Sequence, residues 1–272
     1  MDKPHEKKQR LEAILRGCGS VAVAFSAGVD STFLLKTAHD MLGDNAAAVT
    51  AVSPLVPGEE IAGAEEFCTA NGIRFVKLGF DPFSAEGFAA NPPDRCYICK
   101  RAVFTAIKEA AAKLGAAYVA EGSNIDDTAD YRPGMRAVRE LQIKSPLLEA
   151  GLSKSDIREL SREAGLTTWN KPSLACLASR FMYGDTITEE KLLMAEKAER
   201  RLRKLGFEQV RVRLHGNVAR IEAERTEFSR IIKPDTADEI NEYFREIGFL
   251  YTALDLGGCK TGNMNLTYKR RD

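Results

Sequence analysis

The sequence predicts an α/β fold, a parallel sheet wound by helices, followed by a second and smaller α+β domain. Three observations predict it. Apolar runs that read as strands alternate with amphipathic stretches through the first part of the chain, as parallel strands joined by helical crossovers require. The first two of these runs, VAVAF and AAAVTAV, are almost wholly apolar, the pattern of strands buried on both faces. After Trp169 the texture changes. A stretch punctuated by Pro and Gly gives way to a charged helix, two short strands, another helix and a last strand, an order that reads as a separate unit. The boundary is expected near residue 180, giving domains of residues 1–180 and 181–272.

Taken in order, residues 6–16 form a short amphipathic helix leading into a first strand, SVAVAF at 20–25. A helix from Ser31 to Leu42 follows, with Phe33, Leu34, Ala38 and Met41 toward one side. AAAVTAVS at 46–53 is a second strand, and a helix over 58–71 stops at an Asn-Gly pair. IRFVKLGF at 73–80 is a third strand. The loop NPPDRCYICK at 91–100 precedes a helix from Lys100 to Leu114 that Gly115 ends. AYVAEGSN at 117–124 is a fourth strand and KSPLLE at 144–149 a short fifth. The second domain is expected to hold a helix over 188–205, strands at QVRVRLH and VARIEA, a helix over 235–247 and the strand YTALDL.

Bulk properties narrow the function class. The chain has 272 residues, and its 39 basic and 39 acidic residues balance. Such a balance gives no general pull toward nucleic acid or an anionic membrane, so the expected partner is a small molecule or another protein. No apolar stretch is long enough to span a membrane. The N-terminal stretch MDKPHEKKQR lacks the apolar core of a secretory signal. Six cysteines without such a signal point to a reducing compartment and thiols in use. The expected location is the cytoplasm.

At the end of the first strand stands SAGVDS, residues 26–31. In an open α/β sheet, ligands gather beyond the carboxyl ends of the strands. A helix N-terminus there offers unpaired N–H groups and a partial positive charge to a phosphate. Gly28 lets the backbone approach an anion, while Ser26 and Ser31 supply hydroxyls. Asp30 adds a like charge, which makes sense if it holds Mg²⁺ or caps the helix. A Walker A loop would need a Gly-Lys-Ser/Thr ending that is absent. GCGSVA at 17–22 overlaps the strand instead of following it. A plain strand-turn-helix with an Asp cap is the ordinary alternative.

SAGVDS resembles the Ser-Gly-Gly-x-Asp-Ser pyrophosphate loop of ATP pyrophosphatases, with Ala27 where that family usually has glycine. Four further stretches extend the likeness over nearly the whole chain: NPPDRCYICK (91–100), EGSNIDDTADYRPG (121–134), WNKPSLACLASRFMYG (169–184) and LDLGGCKTGNMN (254–265). Together they resemble the LarE family of ATP-dependent sulfur transferases. The resemblance implies an adenine-nucleotide α-hydrolase-like (PP-loop) first domain, with ATP and Mg²⁺ as cofactors. It also implies a small-molecule nucleotide substrate, pyridinium-3,5-biscarboxylic acid mononucleotide. Its carboxylates would be adenylated and converted to thiocarboxylates for the nickel-pincer cofactor of lactate racemase. AMP gives a poor electrophile a good leaving group, which sulfur then displaces.

By the same resemblance, Ser26, Ala27, Gly28, Val29, Asp30 and Ser31 would hold the pyrophosphate and its Mg²⁺. Cys176 would be the sulfur-bearing position. Arg211 and Arg213 stand two apart and project from one strand face, where they would clamp the substrate phosphate. Glu199 and Glu222 match acidic positions near that site, either with a metal or in salt bridges. Asp126, Asp127, Asp130 and Arg132 follow the fourth strand and would position the nucleotide or form a solvated turn. A homo-oligomer is implied as well.

The family divides over its sulfur donor. In one group a single cysteine gives up its sulfur and becomes dehydroalanine. In another, three cysteines hold a 4Fe-4S cluster whose fourth iron carries an extra sulfide. Cys96 and Cys99 in CYIC, with Cys176, favour the cluster, because three thiolates leave one iron without a protein ligand. A zinc site usually needs a fourth ligand. His5, His39 and His215 offer no obvious one, although Cys259 could serve. Cys18 and Cys68 read as ordinary buried residues, and the source of sulfide is not legible. Three rival functions share parts of this pattern: a tRNA thiolase, an amide-forming ATP pyrophosphatase and a nucleotide-binding regulator. The balanced charge, without a basic face rich in aromatics, stands against RNA.

Overall fold

The computed structural model describes residues 3–128, 133–172 and 175–260. The chain divides into two compact units, one of Met1–Ala85 with Cys96–Leu174 and the other of Glu86–Arg95 with Ala175–Asp272. In chain order the elements are α1 (Pro4–Cys18), β1 (Val21–Ala24), α2 (Val29–Leu42), β2 (Ala46–Val52), α3 (Gly58–Ala70), β3 (Arg74–Gly79) and α4 (Arg95–Lys113). β4 (Tyr118–Ala120), α5 (Gly134–Glu140), α6 (Pro146–Glu149) and α7 (Lys154–Glu163) complete the first unit. The second contains α8 (Glu189–Lys204), β5 (Arg211–His215), β6 (Val218–Glu222), α9 (Phe228–Ile231), α10 (Pro234–Glu246) and β7 (Tyr251–Leu254).

The first unit is the expected parallel sheet. Its four strands run in the order β3-β2-β1-β4, and every pairing is parallel. The chain winds outward from β1 through β2 to β3, then returns to the other side of β1. The order therefore reverses between β1 and β4, and the carboxyl ends of those two strands flank the crevice where such sheets bind ligands. Period-two alternation explains how β1 serves both layers. Val21 and Val23 pack with Leu11, Leu15, Leu34, Ile157 and Leu160 on one face. Ala22 packs with Phe104, Ile107, Val119 and Val138 on the other.

Three expectations are corrected. KSPLLE is not a fifth strand: Lys144 makes a single bridge to Ala120, and Pro146 then opens α6. A proline lacks the N–H a ladder needs, while its fixed φ suits the first turn of a helix. The fourth strand stops at Ala120, because the Glu121 carboxylate turns the chain by accepting from Ser123 N–H, Ser123 Oγ and Ser145 Oγ. The helix expected from Lys100 begins at Arg95, so Cys96 and Cys99 lie in its first turns.

Three helices were not anticipated, α5, α7 and the single-turn α9. The second of these has a capping box, in which Ser153 Oγ accepts from Asp156 N–H at 3.2 Å and Asp156 Oδ2 accepts from Ser153 N–H at 2.9 Å. Lys7 of α1 reaches the same carboxylate at 2.6 Å.

The second unit carries a three-stranded sheet ordered β5-β6-β7, with β5 and β6 antiparallel and β7 parallel to β6. Alternation splits it cleanly. Val212, Leu214, Ala219 and Ile221 are buried apolar residues, as are Leu192, Ala195 and Leu202 on α8 and Ile240 and Phe244 on α10. Arg211, Arg213, Arg220 and Glu222 take the alternate positions. Among the described residues, no helix is long and apolar enough to cross a membrane.

Replacing Ser153 by Ala should cost about 1 kcal/mol of stability, the usual value of a lost N-cap. Chemical denaturation would read it as a lower midpoint at unchanged slope, with Ser153→Asp restoring most of the loss.

Candidate functional site

The pyrophosphate-loop residues are brought together where the sheet order reverses. Beyond β1, Phe25 still bonds β2 through its N–H to Val49 O at 2.9 Å, and Thr50 Oγ1 donates to Phe25 O at 2.7 Å. The chain then turns sharply. Ala27 takes the left-handed conformation, φ 53°, which costs an L residue roughly 1–2 kcal/mol and which glycine adopts without penalty. That is the physical sense of a glycine at this position in the family's motif. Gly28 is the N-cap of α2. Ser26 and Ser31 face one another, with their hydroxyl oxygens 3.0 Å apart, and Ser26 N–H donates to Ser31 Oγ at 3.3 Å. Ser31 Oγ also donates to Gly28 O at 3.3 Å.

Asp30 stands in the first turn of α2 and is not its cap. Its Oδ2 accepts from Lys154 Nζ at 2.5 Å. Its Oδ1 is buried and has no hydrogen-bond partner among the described residues. Burial pushes the carboxyl above the usual carboxylate range, with the Lys154 ammonium opposing the shift. An acid in this state gains from a further cation. A divalent ion therefore fits the donor set here, on the oxygen left without a partner among the described residues.

Sequence reasoning missed three residues at this loop. Lys154, at the start of α7, meets Asp30. Lys171 donates to Ala27 O at 3.0 Å and pairs with Glu60 at 2.7 Å. Gly122, just past β4, backs against the loop: a Cβ there would lie 3.1 Å from Ser31 N and 3.4 Å from Asp30 Cβ. The only signal in the sequence was that Gly122 and Lys171 fall within two of the stretches that carry the resemblance. Asp126 and Asp127 shape the turn after β4. Asp126 Oδ2 accepts from Lys154 N–H at 2.7 Å, and Asp127 Oδ2 accepts from Asn124 N–H at 3.0 Å. Asp130 and Arg132 lie outside the described residues.

In the second unit, the expected arginines and acids are close neighbours of the Cys176 segment. Arg213 Nη2 donates to Glu222 Oε2 at 2.9 Å, and its Nη1 donates to Ser179 O. Arg220 also reaches Glu222, at 3.1 Å. Glu199 does not meet Arg211 or Arg213. It takes the Arg180 guanidinium on both oxygens, at 2.7 and 2.9 Å. Arg180 was missed; its one mark in the sequence is that it falls within the stretch 169–184 that carries the resemblance. Burial works against its charge, yet the two bonds it donates to Glu199 hold its pKa above the ordinary value.

Arg213 is the reverse case. Burial holds it below its ordinary value, and the like charges of Arg180 and Arg211 add to this against the pull of Glu222. Arg211 is half-buried and donates to Lys260 O at 3.2 Å. An arriving phosphate dianion would relieve this crowd of guanidiniums.

The cysteines sort by burial. Cys18 and Cys68 are buried, and burial pushes the Cys68 thiol up to about 12. Cys96 and Cys176 are exposed and Cys99 is half-buried. Cys96 and Cys99 belong to the first unit and Cys176 to the second. Among the described residues, no three His, Cys, Asp or Glu side chains are grouped to hold a metal ion.

No family model matches the sequence. Pyridinium-3,5-bisthiocarboxylic acid mononucleotide synthase of Lactiplantibacillus plantarum, however, is 40% identical over 262 residues, 96% of this chain and 94% of that protein. The chain belongs to the LarE family. An uncharacterised protein of Synechocystis is 42% identical over 259 residues, 95% of this chain and 97% of its own length. A more distant likeness, 30% over 186 residues, reaches the tRNA-specific 2-thiouridylase MnmA of Chlorobium luteolum, covering 56% of this chain and 49% of that one. Family membership fits the parallel sheet and the loop at its switch point.

Gly122→Ala should push the Ser31 backbone out of register while leaving the sheet intact. Nucleotide binding, measured by calorimetry with ATP and Mg²⁺, should weaken, and because a crowded Cβ typically costs about 1–3 kcal/mol of folding stability, the melting temperature should fall by several degrees.

Proposed function

We propose that this chain is an ATP-dependent sulfur transferase that converts the carboxylates of pyridinium-3,5-biscarboxylic acid mononucleotide to thiocarboxylates. The observation that carries the reading is the near full-length relation to a protein named for the synthesis of that bisthiocarboxylic product. The chemistry needs two displacements. A substrate carboxylate oxygen attacks the α-phosphorus of ATP, the bond to the β-phosphate oxygen breaks, and pyrophosphate leaves. A sulfur nucleophile then attacks the acyl carbon, the bond to the AMP oxygen breaks, and AMP leaves.

The residues of the first unit suit the first displacement. Ser26 and Ser31 hydroxyls and the N–H groups at the head of α2 would cradle the departing pyrophosphate, with the Lys154 and Lys171 ammoniums beside the loop. Mg²⁺, when bound, would neutralise phosphate charge, and Asp30 Oδ1 is the oxygen that would hold it. Glu199 and Glu222 suit that task poorly, because each already has both oxygens on guanidinium groups. Of the two arginines, the half-buried Arg211 would receive the substrate phosphate, whereas the terminal nitrogens of Arg213 are already on Glu222 and Ser179 O.

Cys96, Cys99 and Cys176 are the sulfur-delivery set. A 4Fe-4S cluster would use all three and leave one iron to carry sulfide. The exposure of Cys176 supports a second reading for the donor, in which that residue acts alone. Its thiolate would form a thioester as AMP leaves. Loss of the Cα proton and cleavage of the Cβ–S bond would then free the thiocarboxylate and leave dehydroalanine. Transfer to tRNA ranks below both, since the relation to the tRNA thiolase covers only 56% of the chain.

A single anaerobic turnover with ATP, Mg²⁺ and the biscarboxylate nucleotide tests the proposal, with the denatured protein weighed intact. Thiolated product with AMP and pyrophosphate is expected. An unchanged polypeptide mass assigns the sulfur to an external sulfide, and loss of one H₂S mapped to Cys176 assigns it to that residue. Absence of thiolated product would contradict the reading.

A further inference from the structure

We infer that Arg180, pinned by Glu199 in the interior of the second unit, is the positioning residue of the segment that presents Cys176. The inference rests on Cys176 being the sulfur-bearing residue of the proposed reaction.

Arg180 is only 2% exposed and Glu199 only 1%. Glu199 is itself fixed from two elements, since it stands on α8 and its Oε1 also accepts from Val212 N–H of β5 at 3.0 Å. The guanidinium meets that carboxylate in a two-point, planar contact, which sets its orientation as well as its position. The remaining nitrogen, Nη1, points back along its own segment. It donates to Ala175 O at 2.9 Å, to Cys176 O at 3.4 Å and to Ser179 Oγ at 2.8 Å. The main chain on both sides of the Cys176 Cα is thereby tied to one rigid group. Arg213, held by Glu222, fixes a further carbonyl of the segment, that of Ser179. The intervening Leu177 and Ala178 are buried apolar anchors of a short 3₁₀ turn. Cys176 stands just before that turn with its side chain exposed.

A purely structural role explains this poorly. A buried ion pair stabilises no better than apolar residues of the same volume, because desolvation offsets the attraction. What apolar residues could not supply is a set of donors aimed at the carbonyls around one cysteine. A held backbone beneath an accessible thiol is what a group-transfer step requires, since small misplacements of a reacting atom are costly in rate. Glu199 and Glu222 then act through the arginines they hold.

The test separates the two displacements. Arg180→Lys keeps the charge, but one ammonium cannot hold both Glu199 oxygens and the segment's acceptors together. In a single turnover, pyrophosphate release should stay within about twofold of the unaltered protein, while thiolated product falls by about 100-fold. Hydrogen exchange at the Ser179 and Phe181 amides should become faster. Should Arg180→Lys fail to fold, the double variant Arg180→Met with Glu199→Met removes the buried charges together and should show the same split. Thiolation at the unaltered rate, or loss of pyrophosphate release in equal measure, would overturn the inference. If the unaltered protein makes no thiolated product, it is the proposed function that fails. The amide exchange then decides the anchoring role alone, and unchanged exchange overturns it.

Discussion

The first unit depends on a carboxylate held where a carboxylate is costly. Asp30 sits in the first turn of α2 with one oxygen buried and unanswered among the described residues, and burial alone would favour its neutral form. Lys154 meets the other oxygen, and much of the surrounding structure exists to bring Lys154 there. The capping box at Ser153 starts α7 at the right residue, Lys7 of α1 steadies the cap through Asp156, and Asp126 receives the Lys154 backbone. Three separate parts of the chain, α1, α7 and the turn after β4, combine to hold Lys154 against one acid. Residues strained or buried beyond what stability asks for mark places where function sets the terms.

The second unit applies the same principle with the opposite sign. There the costly groups are guanidiniums, Arg180 and Arg213, each desolvated and each held by its own glutamate. Their spare N–H groups go to the main chain between Ala175 and Ser179. The two units thus use buried charge for different ends. In the first it leaves a carboxylate oxygen at the head of α2 without a partner among the described residues; in the second it ties down a short segment around an exposed cysteine.

Much of this was legible in the sequence where it depends on local pattern. The apolar runs VAVAF and AAAVTAV could only be buried strands, and SAGVDS at the end of the first could be read as a loop opening a helix. KSPLLE reads as a strand because a short apolar run has no period to decide it, and Pro146, which suits the first turn of a helix, decides it. The start of α4 was missed for a related reason: Pro92 and Pro93 suggested a longer loop, so Cys96 and Cys99 were expected outside the helix. Lys154, Lys171, Gly122 and Arg180 were out of reach. Each acts through contacts set by the tertiary fold, and a lysine or arginine in a chain so rich in charge carries no mark of its partner. Asp30 could be read as a ligand or as a cap. The structure shows Gly28 in the cap position and leaves the aspartate for other work.

The central claim is that the loop at the head of α2 directs cleavage between the α and β phosphates of ATP. Phosphorus NMR of a single turnover with the biscarboxylate nucleotide tests it most directly, by following which phosphate species form. The account predicts AMP and pyrophosphate in equal amounts, with both lost in Asp30→Asn while that variant remains folded. ADP with inorganic phosphate, or undiminished pyrophosphate from Asp30→Asn, would contradict it.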